Sequence, residues 1–175
     1  MNLNNYDIQK LIEFCERWLE KVDHEPLDDD LAHYFDHFFS AYVIFNAIYS
    51  RVCNGRGDRD NATNKIISFI GLQTVNQQII VSRQKEINEV LKLFDVFIFC
   101  SKPTKTKDDQ ILKLELESDD KKAHGLFGLI YEVRCNLFHG TKQYHDIQKI
   151  LLGPLCKILD TINNVLIQKL KDMIK

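Results

Sequence analysis

The stretch "DDDLAHYFDHFFSAYVIFNAIYSRVC", residues 28–53, decides the fold. Leu31, Phe35, Phe38, Tyr42, Phe45, Tyr49 and Val52 recur at steps of four and three. That interval lines one face of a helix, and a stripe this regular is a bundle seam. Phe39 and Val43 add a second apolar strip beside it, with Asn46 on the same strip. A helix apolar on two sides is expected to stand centrally among others. The aspartates at its start suit the positive end of the helix dipole. Pro26 disfavours helix at Glu25, just upstream.

Working outward, the helical period recurs on both sides. Residues 5–22 carry Ile8, Leu11, Ile12, Cys15, Trp18, Leu19 and Val22 at helical spacing. Downstream, Gly55 and Gly57 in "NGRGDRDN" mark a loop. A helix of about 59–70 follows, then a polar connection. The next helix spans about 83–100, with Ile87, Val90, Leu91, Phe94, Val96 and Phe97 apolar, and Pro103 follows its end. Residues 101–118 read as a loop-rich insertion, in which "ILKLELE" alternates enough to suggest one short strand. Asp119 is expected to cap a helix of about 119–139, with Gly140 at its C′ position and Leu126, Ile130, Val133 and Leu137 facing the core. The last helix, about 143–173, presents Ile147, Ile150, Leu151, Leu155, Ile158, Leu159, Ile162, Val165, Leu166 and Leu170. Pro154 should kink or restart it. The sum is an all-α, up-and-down bundle of about five or six helices, one domain over residues 1–175.

Bulk properties narrow the function. A chain of 175 residues, 45% hydrophobic and 27% charged, buries a core without staples. Its net charge of -2 argues against a broad nucleic-acid-binding surface while leaving room for a local basic site. Cys15, Cys53, Cys100, Cys135 and Cys156 are widely spaced with no C-x-x-C. That speaks against a disulfide framework or zinc module and for a reducing compartment. The start lacks a basic region followed by an apolar run, so no signal peptide is expected. No apolar run approaches the roughly 18 residues of a membrane span. A cytoplasmic protein with no membrane partner is the expectation.

The chemistry concentrates in "YEVRCNLFHGTK", residues 131–142, where Arg134, Asn136 and His139 fall within six residues. With about 100° of turn per residue, Glu132, Asn136 and His139 share one helix face. Arg134 then lies about 200° from Asn136 and about 140° from His139. On a straight helix Arg134 and His139 cannot point into one pocket. They converge if the last turn unwinds at Gly140, or if a second copy completes the pocket. A plain structural reading is also available. Cations near a helix C-terminus favour the dipole, His139 caps carbonyls, and Asn136 is a surface amide.

Arg134, four intervening residues and His139 resemble the R-x(4–6)-H signature of the HEPN superfamily (higher eukaryotes and prokaryotes nucleotide-binding domains). "YEVRCNLFHGTK" is similar to the bacterial form ending in Phe-His-Gly. "FFSAYVIFNAIYS", residues 38–50, resembles the aromatic helix with a Phe-Asn pair that precedes the motif helix. The two segments cover about 25 residues; residues 54–118 carry no such resemblance.

The resemblance implies a HEPN-like bundle that dimerises through the motif face and, in active members, cleaves RNA without metal or other cofactor. His139 would act as general base or acid, Arg134 would hold the scissile phosphate, and Asn136 would orient the phosphate or His139. Imidazole titrates near neutrality, and guanidinium grips phosphate bidentately. A toxin–antitoxin or anti-phage role follows, with RNA as substrate and an antitoxin protein as a partner. The alternative is a non-catalytic HEPN-fold interaction or nucleotide/RNA-binding module. One position departs from the pattern: many active members carry a polar residue right after the arginine, where this chain has Cys135.

Asn46, Arg51 and Lys142 are the substrate-binding candidates. Arg51 belongs to a cluster with Arg56 and Arg59 around the 54–61 loop, suited to RNA phosphates or simply solvated. Asn46 either bonds near the Arg134/His139 pocket or is a satisfied core amide, since an unpaired buried amide is costly. His33 and His37, with Asp36 between them, have a spacing that can hold zinc. No third ligand lies near in sequence, so no metal site is assigned and a solvated polar face is expected there.

Overall fold

The structure, a computed structural model, describes residues 3–24, 30–95, 105–138 and 148–175. The decisive stretch forms one helix, α2 (Leu31–Val52). The Asp30 side chain caps it by accepting from the Ala32 N–H at 3.0 Å. Leu31, Phe38, Tyr42, Phe45 and Tyr49 are buried, as the seam requires. Phe35 and Val52 are half-buried. The second buried strip is not Phe39–Val43 but Ala41, Ile44 and Ile48. α2 packs against α1 (Asn5–His24) and α9 (Gln148–Met173). Asn163 of α9 donates to the Ala41 carbonyl at 2.9 Å, so α9 comes close to the α2 backbone at a small residue. Phe39 is left 45% exposed.

Between α2 and the C-terminal half the chain winds through short helical pieces. α3 (Asp58–Asp60) leads into a π-helical segment, Asn61–Lys65, and α4 (Ile66–Ile70). Gly71, at φ 97°, ends α4 in a conformation that favours glycine. The expected polar connection after residue 70 is instead helical: α5 (Leu72–Thr74) and a π-helical segment, Val75–Ile80. Val75, Ile79 and Ile80 are buried while Gln77 and Gln78 face out. That one-sided burial secures a segment that looks polar on average. α6 (Gln84–Leu91) follows and continues into a 3₁₀ turn, Lys92–Asp95. It packs on α9. Val96, Phe97 and Pro103 lie outside the described residues.

The suggested strand is a helix. α7 spans Lys105–Glu117, so the expected loop-rich insertion is helical from residue 105 onward. Leu112 and Leu116, four apart, are buried, whereas Ile111 and Leu114 are 45% and 65% exposed. Burial thus follows the helical period, not the alternation. α7 packs on α8 (Lys122–Phe138), and two glycines of α8 let it approach. A Cβ on Gly125 would sit 2.8 Å from the Leu116 nitrogen, and one on Gly128 3.1 Å from a Leu112 methyl.

α8 begins at Lys122, three residues after the expected cap. Residues 119–121 form a turn instead, and the Asp119 carboxylate lies 3.4 Å from Lys122 Nζ. Leu126, Ile130 and Val133 are buried, and Leu137 is half-buried. Gly140, Ile147 and the expected start of the last helix lie outside the described residues. α9 runs through Pro154 as one helix. Its Ile150, expected in the core, is 57% exposed. Contrary to the sequence reading, α9 is long and apolar enough to cross a membrane, with hydropathy 1.5 in its most apolar window. Yet 67% of that window is buried inside the bundle, as a core helix requires. No strand occurs among the described residues.

Candidate functional site

Tyr131, Arg134 and Phe138 follow one another on α8 at steps of three and four, so they share a side. Arg134 and Phe138 meet α2 there. The Arg134 guanidinium carbon lies 5.5 Å from the Tyr42 ring centre and 4.9 Å from that of Phe138. Both distances are within cation–π range. Phe138 stacks on Phe39 at 5.0 Å and 12°. Tyr42 is held from behind by Phe45, edge-on at 5.7 Å, and by Phe38 at 6.3 Å. The arginine is therefore held by rings that the bundle core itself fixes.

Its hydrogen bonding is sparse. Nε is buried with no partner, and one terminal nitrogen faces the Cys135 sulfur at 3.9 Å. None of the described ion pairs includes Arg134. Burial works against its charge, but the Cys135 thiol and the Tyr42 hydroxyl outweigh it and hold the pKa above the usual value.

A polar chain runs behind the arginine. The Tyr49 hydroxyl donates to Asp58 Oδ1 at 2.8 Å and lies 3.4 Å from the Tyr42 hydroxyl. Burial drives both tyrosine pKa values up. Tyr131 is pushed up to about 12 by burial and by the nearby Cys135 and Asp58.

The residues singled out from the sequence divide between two sides of α8. Asn136 is buried, 4% exposed, on the side that also buries Glu132. Glu132 pairs with Arg59 Nη1 at 2.7 Å, and the Arg59 guanidinium lies 6.0 Å from the Tyr131 ring centre. Arg59 is thus a tether between α3 and α8, not an open loop cation. Asn46 is half-buried, four residues past Tyr42 and therefore on its side of α2. Arg51 is exposed, and its charge acts on the Cys15 thiol of α1. Nine residues from Tyr42, it stands about half a turn away from Arg134's side. His139 and Lys142 lie outside the described residues.

The solvated face expected around His37 is also corrected. His37 is buried, with Nε2 2.9 and 3.1 Å from the two carboxylate oxygens of Asp160 on α9. Its Nδ1 is buried without a partner. Among the described residues no three His, Cys, Asp or Glu side chains gather to hold a metal.

Sequence reasoning assigned Tyr42 to the core and Phe138 to no role. The available signal was the four-residue step from Arg134 to Phe138, which sets a cation beside a ring on one helix face. Beside them Phe35, Asp36, Phe38, Phe39, Leu137 and Phe138 line a surface groove of about 360 Å³.

Fold and site together define an all-α helical domain with an arginine held against two aromatic rings at the end of a core helix. No family model, curated protein or solved structure matches the chain.

Proposed function

We propose that this chain is a metal-independent endoribonuclease of the HEPN type, acting in the cytoplasm as a toxin held by an antitoxin or as an anti-phage effector. Arg134 carries the reading. An arginine with a buried, unpartnered Nε and no ion pair among the described residues has donors to spare. A buried unmet donor costs roughly 1–3 kcal/mol, and a planar, permanently charged group held in this way suits a phosphate.

The assigned chemistry is transesterification. The 2′-hydroxyl loses its proton and attacks phosphorus, and the P–O5′ bond breaks. The leaving oxygen takes up a proton, giving a 2′,3′-cyclic phosphate and a 5′-hydroxyl. His139 moves a proton as base or acid, Arg134 holds the charge developing on the phosphate oxygens, and Asn136 orients the phosphate or His139. The exposed, stacked rings of Phe39 and Phe138 beside Arg134 support a two-fold dimer through this face, with each copy supplying half of the pocket.

Cleavage should persist in EDTA and leave cyclic or 3′-phosphate ends. His139→Ala and Arg134→Ala should each lower it by about 10²–10⁴-fold with the fold intact. Arg134→Lys should also fail, because an ammonium lacks the planar fork. Cleavage that needs added divalent metal would reject the mechanism. A second reading, a non-catalytic HEPN-fold interaction or nucleotide/RNA-binding module, rests on Cys135, which lies against Arg134 where many active HEPN members carry a polar residue. Wild type that binds RNA but never cuts it, alone or freed from an antitoxin, selects that reading.

A further inference from the structure

Arg134 is long and flexible, and one that holds a phosphate must itself be held. In this bundle no ion pair among the described residues does so. The groups that meet its guanidinium are two rings and a thiol. Phe138 is 43% exposed and sits on the last described turn of α8, so it is the weaker support. Tyr42 is 2% exposed, in mid-helix, and packed on Phe38 and Phe45. Its ring is the fixed wall of the site.

We propose that Tyr42 is the positioning residue for Arg134. The face of its ring fixes the guanidinium so that Nε points inward and the terminal nitrogens are presented to an RNA phosphate. The proposal rests on the reading of Arg134 as the phosphate-holding group. The ring does this work, not the hydroxyl, which is turned to Tyr49 at 3.4 Å and belongs to the chain ending on Asp58.

The test is the Nε–Hε signal of Arg134 in the ¹⁵N-labelled full chain, assigned by its disappearance in Arg134→Lys. In wild type it should lie upfield of the exposed arginines, shifted by the two rings, and should exchange slowly with water. Tyr42→Phe should keep both properties. Tyr42→Leu should move the signal into the exposed group. On RNA, Tyr42→Leu should lower kcat on the order of 10²-fold, the scale of a roughly 1 Å misplacement, with KM changed far less. Tyr42→Phe should cut nearly as wild type does.

An unshifted, fast-exchanging wild-type signal overturns the proposal, as does Tyr42→Phe behaving like Tyr42→Leu. If Tyr42→Leu does not fold, Phe138→Leu decides the matter: a signal that stays upfield and slow to exchange with Tyr42 as its one remaining ring supports the proposal, and one that joins the exposed group overturns it. If the signals behave as expected but wild type cuts no RNA, the endoribonuclease reading falls and the positioning of Arg134 stands.

Discussion

Phe45→Ala tests the centre of the bundle. Phe45 is fully buried on α2, which packs against α1 and α9. Its ring meets three others: Tyr49 at 5.1 Å, Tyr42 at 5.7 Å and Phe127 at 5.9 Å. Truncating a buried phenylalanine costs about 3–5 kcal/mol through lost transfer energy and the cavity left behind. Aromatic pairs add about 0.5–1.5 kcal/mol beyond burial, and neighbours this large relax only partly into the hole. The expectation is therefore the upper half of that range, about 4–5 kcal/mol, against a total of roughly 5–15 kcal/mol for a domain. Urea unfolding followed by helical circular dichroism gives the number, with an unchanged slope showing that the same surface is exposed. Phe45→Leu should cost under about 1.5 kcal/mol if the core repacks. Phe39→Ala, on the exposed side of the same helix, should stay below about 1 kcal/mol. A Phe45→Ala cost below about 1 kcal/mol, or one no larger than that of Phe39→Ala, would refute the assignment of the inner face.

Other outcomes follow from the same geometry. Gly125→Ala puts a methyl 2.8 Å from the Leu116 nitrogen, so α7 must move off. A loss of about 1–3 kcal/mol should come with faster amide exchange confined to 105–117. Raising the pH should destabilise the fold through Tyr131, whose pKa of about 12 exceeds the ordinary value of about 10. Between the two the folded chain keeps a proton the unfolded chain releases, so this stabilisation is complete below about pH 10 and gone above about 12. Tyr131→Phe should remove its share of that slope, leaving the part that the buried Tyr42 and Tyr49 contribute. Burial pushes Cys15 up to about 12 and Cys53 up to about 11, so alkylation at pH 8 with peptide mapping should find both protected in the native chain and labelled in urea. Asn136→Ala should reduce RNA cleavage less than Arg134→Ala does; equal losses would show that the buried amide reaches the substrate.

The seam of α2 was legible because a stripe of large apolar residues at steps of four and three has only one regular solution. The side of α2 facing α9 was less so. Ala41, Ile44 and Ile48 recur at the same steps as the seam but are smaller than Phe39, and bulk misled where close helix approach needed a small residue. α7 was missed because "ILKLELE" satisfies both periods at Leu112 and Leu116. The glycines at 125 and 128, nine and sixteen residues beyond the leucines they meet, fix which one holds. The local cap at Asp119 failed in the same way, through a tertiary turn that brings α7 onto α8. At the site, the residue types and the separation of Arg134 from Asn136 were legible from helix geometry alone. What Arg134 leans on was not, because Tyr42 is about ninety positions away and already explained as core.

That double use of Tyr42 ties the site to the stability of the bundle. The ring against Arg134 is backed edge-on by Phe45 at 5.7 Å, so a hole at Phe45 opens behind the wall of the site. Cores respond to such holes by partial relaxation, and Tyr42 is one of the three rings that border this one. A change with no contact to Arg134 itself should then loosen the guanidinium. Phe45→Ala should move the Arg134 Nε–Hε signal part of the way towards the exposed group, while the equally central Phe127→Ala, one ring further from Tyr42, should move it less. Two core losses of similar size with unequal effects on one arginine would separate positioning from general destabilisation. Equal effects would mean that Arg134 follows global stability, not the ring beside it.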